Sequence, residues 1–476
     1  MLFNSYEFIF IFLPITLLVY FTLAKCKWPK LATVSLVVAS LAFYSYWDIR
    51  YLPLLLGSIV FNHTLGSYIE KARNKRLLVI AVLTNLSLLG YFKYTGFFIR
   101  TFNDIAGASV FVPEIILPLG ISFFTFTQIA YLVDAYRGET QTYSLLTYSL
   151  FVTVFPHLIA GPILYHKDMV PQFSQLRRFV FSHKNMALGI SMFAIGLFKK
   201  VLIADTLAPG VKLVFDNADK VSVIEAWAGA LGYTLQLYFD FSGYSEMAIG
   251  LGLMFNLNLP INFNSPYKAL SIIDFWRRWH ITLSAFLKNY LYIPLGGNKA
   301  GEANRTKNLL ITMLLGGFWH GAGWTFIVWG GLHGIYLVIN HAWRKQNIRL
   351  PNSLAWLITF LCVVIAWVFF RANTMQEAMA LLSSMAGRNG LVLPPALGDF
   401  IPSLKGQGIP LRPYLFNAGE MLLIPVLLLL CVRAKNTREL MAGFRPSWKW
   451  FVFVLLILTA SLYSFAHVSE FLYFQF

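Results

Sequence analysis

Long apolar stretches alternate with short polar clusters along the whole chain. The first runs from Phe8 to Ala24, the second from about Leu31 to Trp47, and the third begins at Tyr51. A helix needs about 20 predominantly apolar residues to cross a bilayer. Further stretches of this kind extend to Phe465. The pattern therefore predicts an all-α, polytopic membrane protein with roughly ten to twelve membrane-embedded helices.

Basic clusters follow the first and third stretches, at Lys25, Lys27 and Lys30 and then within residues 70–76. Because lysine and arginine are enriched in cytoplasmic loops, we expect both clusters in the cytosol and the N-terminus on the extracytoplasmic side. The first stretch lacks a preceding basic segment and a small-residue cleavage site, so we expect it to stay as a span. Nothing marks a separable soluble domain, and we predict one integral-membrane domain over residues 1–476.

The composition agrees with this picture and narrows the possible functions. Of 476 residues, 57% are hydrophobic and 12% are charged, about half the charged share of a soluble domain. The formal net charge of +17 fits the distribution of basic loops, and it also fits a cytosolic mouth that attracts an anionic donor. Nucleic-acid binding is not expected without a basic soluble domain. The three cysteines lie far apart and predict neither a disulfide framework nor a metal site.

The apolar pattern is interrupted most clearly between residues 318 and 334, which contain Trp319, His320 and His333 among several glycines. A histidine at membrane depth is a functional candidate by default. One continuous helix would separate the two histidines by about 20 Å, whereas Gly321, Gly323, Gly330 and Gly331 make a break or re-entrant turn plausible. No HExxH pattern or cysteine cluster accompanies them, so acid–base chemistry is favoured over zinc. We predict that His333 is a catalytic base that takes a proton from a hydroxyl attacking a thioester.

A second polar cluster covers residues 274–284 and includes Trp276, Arg277, Arg278, His280 and Ser284. On a helix, His280 would lie over Ser284. The cluster is compatible with an interfacial amphipathic helix that has tryptophan anchors. Together with the glycine-rich turn at residues 294–299, it is also compatible with a phosphate or pyrophosphate site.

Two further polar residues belong to the candidate site. Asn298, like His280 or an arginine, is a candidate for holding the donor or supporting an oxyanion. Asp240 follows an apolar run directly. A carboxylate there can bond to a helix N-terminus, a hydroxyl or an arginine, and it can also orient a histidine.

Taken together, seven stretches resemble the membrane-bound O-acyltransferase (MBOAT) family, in the bacterial branch whose members modify extracytoplasmic polymers. The stretches are residues 3–8, 122–137, 155–162, 238–244, 274–284, 292–297 and 319–333. The resemblance implies a ring of tilted helices around a central tunnel in the bacterial inner membrane. It also implies that His333 is the catalytic histidine and that His280 is the second tunnel histidine.

The resemblance further implies the substrates and partners. Acetyl would come from a cytosolic thioester, either acetyl-CoA or an acyl-carrier thioester, with no permanently bound cofactor. It would pass to a periplasmic SGNH-type acetyltransferase and then to a polysaccharide. Direct acylation of a sugar or lipid hydroxyl stays open as an alternative. A secondary transporter is the rival class, but it should have inverted repeats, and we find none.

The last six residues, 471–476, are mostly aromatic. They resemble an aromatic C-terminal motif linked to acyl transfer in the related teichoic acid system. The resemblance implies that Tyr473 carries the acyl group as a phenol ester. The alternative is an ordinary aromatic anchor at the membrane interface.

Overall fold

The computed structural model describes residues 1–299, 301–395, 410–466 and 471–472, and every regular element among them is helical. The first half of the chain forms α1 (Leu13–Lys25), α2 (Pro29–Ser45), α3 (Leu52–Ala72), α4 (Lys75–Ala106), α5 (Ile121–Arg137), α6 (Leu145–Thr153), α7 (Phe155–Leu158), α8 (His166–Phe173), α9 (His183–Phe198), α10 (Asp205–Asp216) and α11 (Val223–Met254). The second half forms α12 (Ile272–Arg278), α13 (Ile281–Leu287), α14 (Gly301–His320), α15 (Trp324–Lys345), α16 (Asn352–Arg371), α17 (Met375–Met385), α18 (Ala418–Arg433), α19 (Thr437–Ala442) and α20 (Trp448–Tyr463).

Short π-helical and 3₁₀ turns extend several of these helices. The π-helical turns are Phe8–Phe12, Lys199–Ala204 and Lys288–Tyr292, and the 3₁₀ turns are Ile49–Tyr51, Leu176–Phe179, Pro266–Lys268 and Ser464–Ala466. The turn Lys199–Ala204 joins α9 to α10 without a break, which produces one long helical segment from His183 to Asp216.

Within the described residues, five helical segments are long and apolar enough to cross a membrane. They are Phe8–Lys25, Ile49–Ala72, Lys75–Ala106, His183–Asp216 and Asn352–Arg371. Two shorter apolar helices, Pro29–Ser45 and Trp448–Tyr463, accompany them. The all-helical, multi-pass architecture predicted from the apolar pattern is confirmed, while the number of ten to twelve embedded helices and the ring arrangement stay predictions.

The centre of the molecule is built on the close contact between α9 and α11. A Cβ atom added to Gly196 would lie 2.5 Å from the carbonyl oxygen of Gly243, and one added to Gly250 would lie 2.6 Å from that of Gly189. Only glycine permits this approach. Small residues that allow two backbones to approach closely are typical of helix packing in membranes. Lipid is as apolar as the helix surfaces, so close packing rather than hydrophobic burial favours the contact.

Several basic helix ends meet on one side of the molecule, which we call the basic face and define by Arg73, Arg137 and Lys345. Arg73 Nη1 donates to the carbonyl oxygen of Ala135 at 2.6 Å, joining the end of α3 to the end of α5. Arg137 Nη2 donates to the carbonyl of Asn289 at 3.1 Å. Lys345, at the end of α15, forms an ion pair with Glu302 at the start of α14.

The N-terminus lies at the opposite ends of the helices. The amino group of Met1 donates to the carbonyl of Phe43 near the end of α2, at 3.4 Å. The hydroxyl of Tyr6 donates to the carbonyl of Leu462 at the end of α20, at 2.9 Å. The basic clusters and the N-terminus therefore lie on different sides of the bundle, as alternating helices require.

Candidate active site

The hairpin of α14 and α15 carries two of the candidate histidines. His320 is the last residue of α14, residues 321–323 interrupt the helix, and α15 begins at Trp324. The predicted break is therefore present at Gly321 and Gly323, whereas Gly330 and Gly331 lie inside α15. The two helices pack so closely that a Cβ atom on Gly330 would overlap the carbonyl oxygen of Met313.

His333 lies in α15 and is completely buried. The indole N–H of Trp276 donates a hydrogen bond to its Nδ1 at 3.3 Å. The ring of Trp329 packs against the imidazole at a centroid distance of 4.9 Å. Among the described residues, Nε2 of His333 has no hydrogen-bond partner. Because Nδ1 accepts a bond, the neutral ring carries its proton on Nε2.

His280 is held in the opposite way. Its Nδ1 lies 3.1 Å from Oδ1 of Asn262, and the same oxygen accepts a bond from the hydroxyl of Thr282 at 2.9 Å. An amide oxygen only accepts, so Nδ1 of His280 is the protonated nitrogen and the lone pair lies on Nε2. That Nε2 is also buried without a partner in the described structure. The two histidines thus present different groups, an N–H at His333 and a lone pair at His280.

The backbone around His280 differs from the single helix considered for residues 274–284. His280 has a φ of +42° and separates α12 from α13. This left-handed conformation is uncommon for a residue with a side chain. It turns the chain so that the carbonyl of Asn262 accepts the N–H of Ile281 at 3.0 Å. His280 is therefore positioned by Asn262 and not by Ser284, whose hydroxyl donates to the carbonyl of Trp279 at 3.4 Å.

His320 lies in the same aromatic cluster, between the other two histidines. Its ring centroid is 6.2 Å from that of His280 and 5.1 Å from that of Trp329. The ring of Trp319 stacks on Phe126 at 4.9 Å. The three histidines and their aromatic neighbours form one buried cluster.

Lys93 supports this cluster from α4. Its ammonium donates to the carbonyl oxygens of Trp319 and His320, at 2.6 Å and 3.1 Å. The last carbonyls of a helix have no partner within the helix, and a cation there also interacts favourably with the helix dipole. The sequence reasoning missed both Lys93 and Asn262. The signal for Lys93 was a single lysine inside a long apolar run, which is unusual at membrane depth.

A cavity of about 700 Å³ lies between α12, α15 and α16, beside the histidine cluster. It is mostly apolar, and its polar lining includes Asp274, Arg277, Tyr336, Asn340 and Arg344. Tyr336 connects the cavity to the site, since its ring lies 5.8 Å from that of His333. Arg344 is adjacent to Lys345, which places this end of the cavity at the basic face.

The other predicted site residues lie apart from the histidines. Arg278 is paired with Asp274 at 2.9 Å, and the exposed Asn298 accepts a bond from the hydroxyl of Tyr292 at 2.6 Å. Asp240 pairs with Lys200 at 2.8 Å, and no described histidine is bonded to it. Tyr473 lies outside the described residues.

Buried imidazoles beside an apolar cavity, inside a bundle of membrane helices, make this cluster the candidate site of a membrane-embedded enzyme. The family model described as MBOAT, membrane-bound O-acyltransferase family, matches residues 9–376. This covers more than half of the chain, so the chain belongs to the MBOAT family and is an acyltransferase.

The chain is also similar to three named relatives. It is 46% identical to the peptidoglycan O-acetyltransferase of Helicobacter pylori, over 100% of this chain and 98% of the relative. It is 46% identical to the Probable alginate O-acetylase AlgI of Pseudomonas aeruginosa, over 81% of this chain and 75% of the relative. It is 28% identical to the teichoic acid D-alanyltransferase of Streptococcus thermophilus, over 48% of this chain and 58% of the relative.

Proposed function

We propose that this enzyme takes acetyl from a cytosolic thioester and passes it across the membrane for O-acetylation of an extracytoplasmic polysaccharide. Two relatives support this, since one is named for O-acetylation of peptidoglycan and the other for that of alginate. The observation that carries the chemistry is His333, fully buried with Trp276 on Nδ1. Tyr336, about one helical turn further along α15, lines the cavity and packs against the His333 ring.

The cavity between α12 and α15 is the proposed path of the acetyl donor. Lysine and arginine are enriched in cytoplasmic loops, so we assign the basic face to the cytosol. The N-terminus then lies on the extracytoplasmic side of a bacterial inner membrane. The apolar lining suits a pantetheine arm, and Arg277 and Arg344 suit its phosphate. Acetyl-CoA and an acetylated carrier protein share this arm, so both are candidate donors.

The hydrogen bonds of the two histidines favour a division of roles. The attacking hydroxyl oxygen forms a bond to the acetyl carbon, and its proton moves to the lone pair on Nε2 of His280. The Nε2–H of His333 donates to the carbonyl oxygen as negative charge develops there. The C–S bond then breaks, and His280 returns the proton to the thiolate. This differs from the sequence-based expectation that His333 is the base, because Trp276 already occupies the lone pair of its Nδ1.

The first acceptor in this proposal is the hydroxyl of Tyr473. The two residues before it support this. Phe471 and Leu472 are both buried, and the backbone N–H of Leu472 donates to Asp240 in the interior of the bundle. A phenol ester is a reactive acyl donor, so the acetyl group can pass on to a periplasmic SGNH-type acetyltransferase and then to the polysaccharide. If cells carrying Tyr473→Phe acetylate their surface polymer normally, the carrier role is excluded.

The function is tested with purified protein reconstituted in vesicles. The vesicles are supplied with either acetyl-CoA or an acetylated carrier protein, and free thiol is measured over time. We expect one of the donors to be consumed by the wild-type protein and not by His333→Ala. If neither thioester is consumed, even with partner and polysaccharide present, the proposed function is wrong. The donor that is consumed separates coenzyme A from a carrier protein.

A further inference from the structure

A buried cluster of three charged residues lies where α9, α10 and α11 meet. The ammonium of Lys200 is 2.7 Å from Oδ1 of Asp205 and 2.8 Å from Oδ1 of Asp240. Lys200 and Asp240 are almost completely buried. Burying charges costs several kcal/mol per ion unless each is paired and hydrogen-bonded. No step of the proposed acyl transfer uses this cluster, so its presence in the membrane interior needs another explanation.

The C-terminal segment of the chain is seated on this cluster. The backbone N–H of Leu472 donates to Oδ2 of Asp240 at 3.2 Å. The ring of Phe471 lies under the ammonium of Lys200, with 5.0 Å between the nitrogen and the ring centroid. The ring of Tyr244 meets the same phenylalanine edge-on at 4.3 Å. One tail residue therefore contributes a backbone donor and its neighbour contributes a cation–π contact.

We propose that Lys200, Asp205 and Asp240 form a docking site for the chain's own C-terminal segment. Asp240 uses one oxygen for Lys200 and the other for the backbone of Leu472, so the site binds a peptide backbone as well as an aromatic ring. A bond to the backbone N–H fixes the register of the segment, which a purely apolar groove does not.

The docking site also connects the tail to the histidine cluster. Phe241 follows Asp240 directly on α11, and its ring packs edge-on against that of His280 at 4.8 Å. The residue that holds Leu472 is therefore one position along α11 from a residue that contacts the histidine cluster. The docking itself does not depend on the reaction, whereas any catalytic consequence of it rests on the proposed function.

The docking site is tested by thiol labelling of the full-length protein in detergent. The three native cysteines are replaced by serine, and Leu472, which is 9% exposed, is replaced by cysteine. Labelling with a maleimide is expected to be at least tenfold faster when Lys200→Met and Asp240→Leu are introduced together. This double change replaces the buried ion pair with apolar side chains of similar size, which is often neutral for stability, and it removes the acceptor for the tail.

Matched variants separate release of the tail from general loosening. Lys212→Met removes an exposed ion pair with Asp216 on α10, and it should leave the labelling rate within twofold. Asp240→Asn keeps an oxygen that can accept the Leu472 N–H, so labelling should be slower than in the double variant. Equal labelling rates with and without the Lys200–Asp240 pair overturn the docking site.

Acetyl transfer is followed in the same variants as a second readout. If labelling responds as expected but Tyr473→Phe transfers acetyl normally, the docking site stands and the carrier role fails. If His333→Ala abolishes transfer while labelling is indifferent to Lys200 and Asp240, the proposed function stands and the docking site fails.

Discussion

The proposed division of roles between His280 and His333 predicts different responses to glutamine at the two positions. Alanine variants alone cannot separate the roles, because alanine at either position lowers activity. Glutamine can donate a hydrogen bond through its amide but cannot take up a proton at neutral pH. His333 is buried with only its Nε2–H free, so His333→Ala removes a donor, and loss of one oxyanion donor lowers kcat by about 10²–10³. His333→Gln supplies a replacement donor and should recover at least about tenfold over alanine.

His280 should behave differently, because its free Nε2 carries the lone pair. Loss of a general base costs about 10²–10⁴ in rate, and glutamine should be no better there than alanine. The assay is thiol release from the acetyl donor in vesicles, with both variants at each position. His341, further along α15 and not part of the cluster, serves as the control, and His341→Gln should stay within twofold of wild type. Recovery by glutamine at position 280 and none at 333 would refute this assignment.

Three other variants follow from the packing. Gly330→Ala places a methyl group on the carbonyl of Met313 and should abolish activity and lower the melting temperature in detergent, whereas Gly57→Ala, with nothing within 4 Å of the new Cβ, should do neither. Lys93→Met leaves two buried helix carbonyls without their donor, and it should destabilise the protein by about 1–3 kcal/mol in a thermal or denaturant melt. An unchanged melt would show that the cap is unimportant. Arg277→Ala should raise KM for the donor several-fold with little change in kcat, and a kcat effect alone would contradict a role in binding.

The apolar pattern predicted the class of fold because membrane helices must satisfy their backbone internally. A stretch of sequence that is long enough to cross a bilayer and nearly free of charge therefore indicates a helix without further information. The glycines at 321 and 323 also indicated the break between α14 and α15, which the structure contains. His333 lies inside a buried aromatic cluster, where the indole N–H of Trp276 is its hydrogen-bond donor.

The sequence could not predict contacts between residues distant along the chain. Asn262 contacts a histidine-bearing segment from the loop between α11 and α12, and Lys93 contacts another from α4, and no local spacing reveals such pairs. The left-handed conformation of His280 is a further example, because a helical reading of residues 274–284 was the simplest one and the turn is set by Asn262. The pairing of Asp240 with Lys200 likewise depends on the packing of α11 against the start of α10.

The central claim is that acetyl leaves its thioester at His333 and moves onto the chain itself. The most direct measurement is incubation of purified protein with radiolabelled acetyl donor, followed by quantification of label on the protein and of released thiol. The wild-type chain should carry up to one acetyl group, located at Tyr473 by mass spectrometry, and His333→Ala should be labelled about 10²–10³-fold more slowly. His333→Ala protein labelled as fast as the wild type, or thiol release at the wild-type rate without His333, would contradict the account.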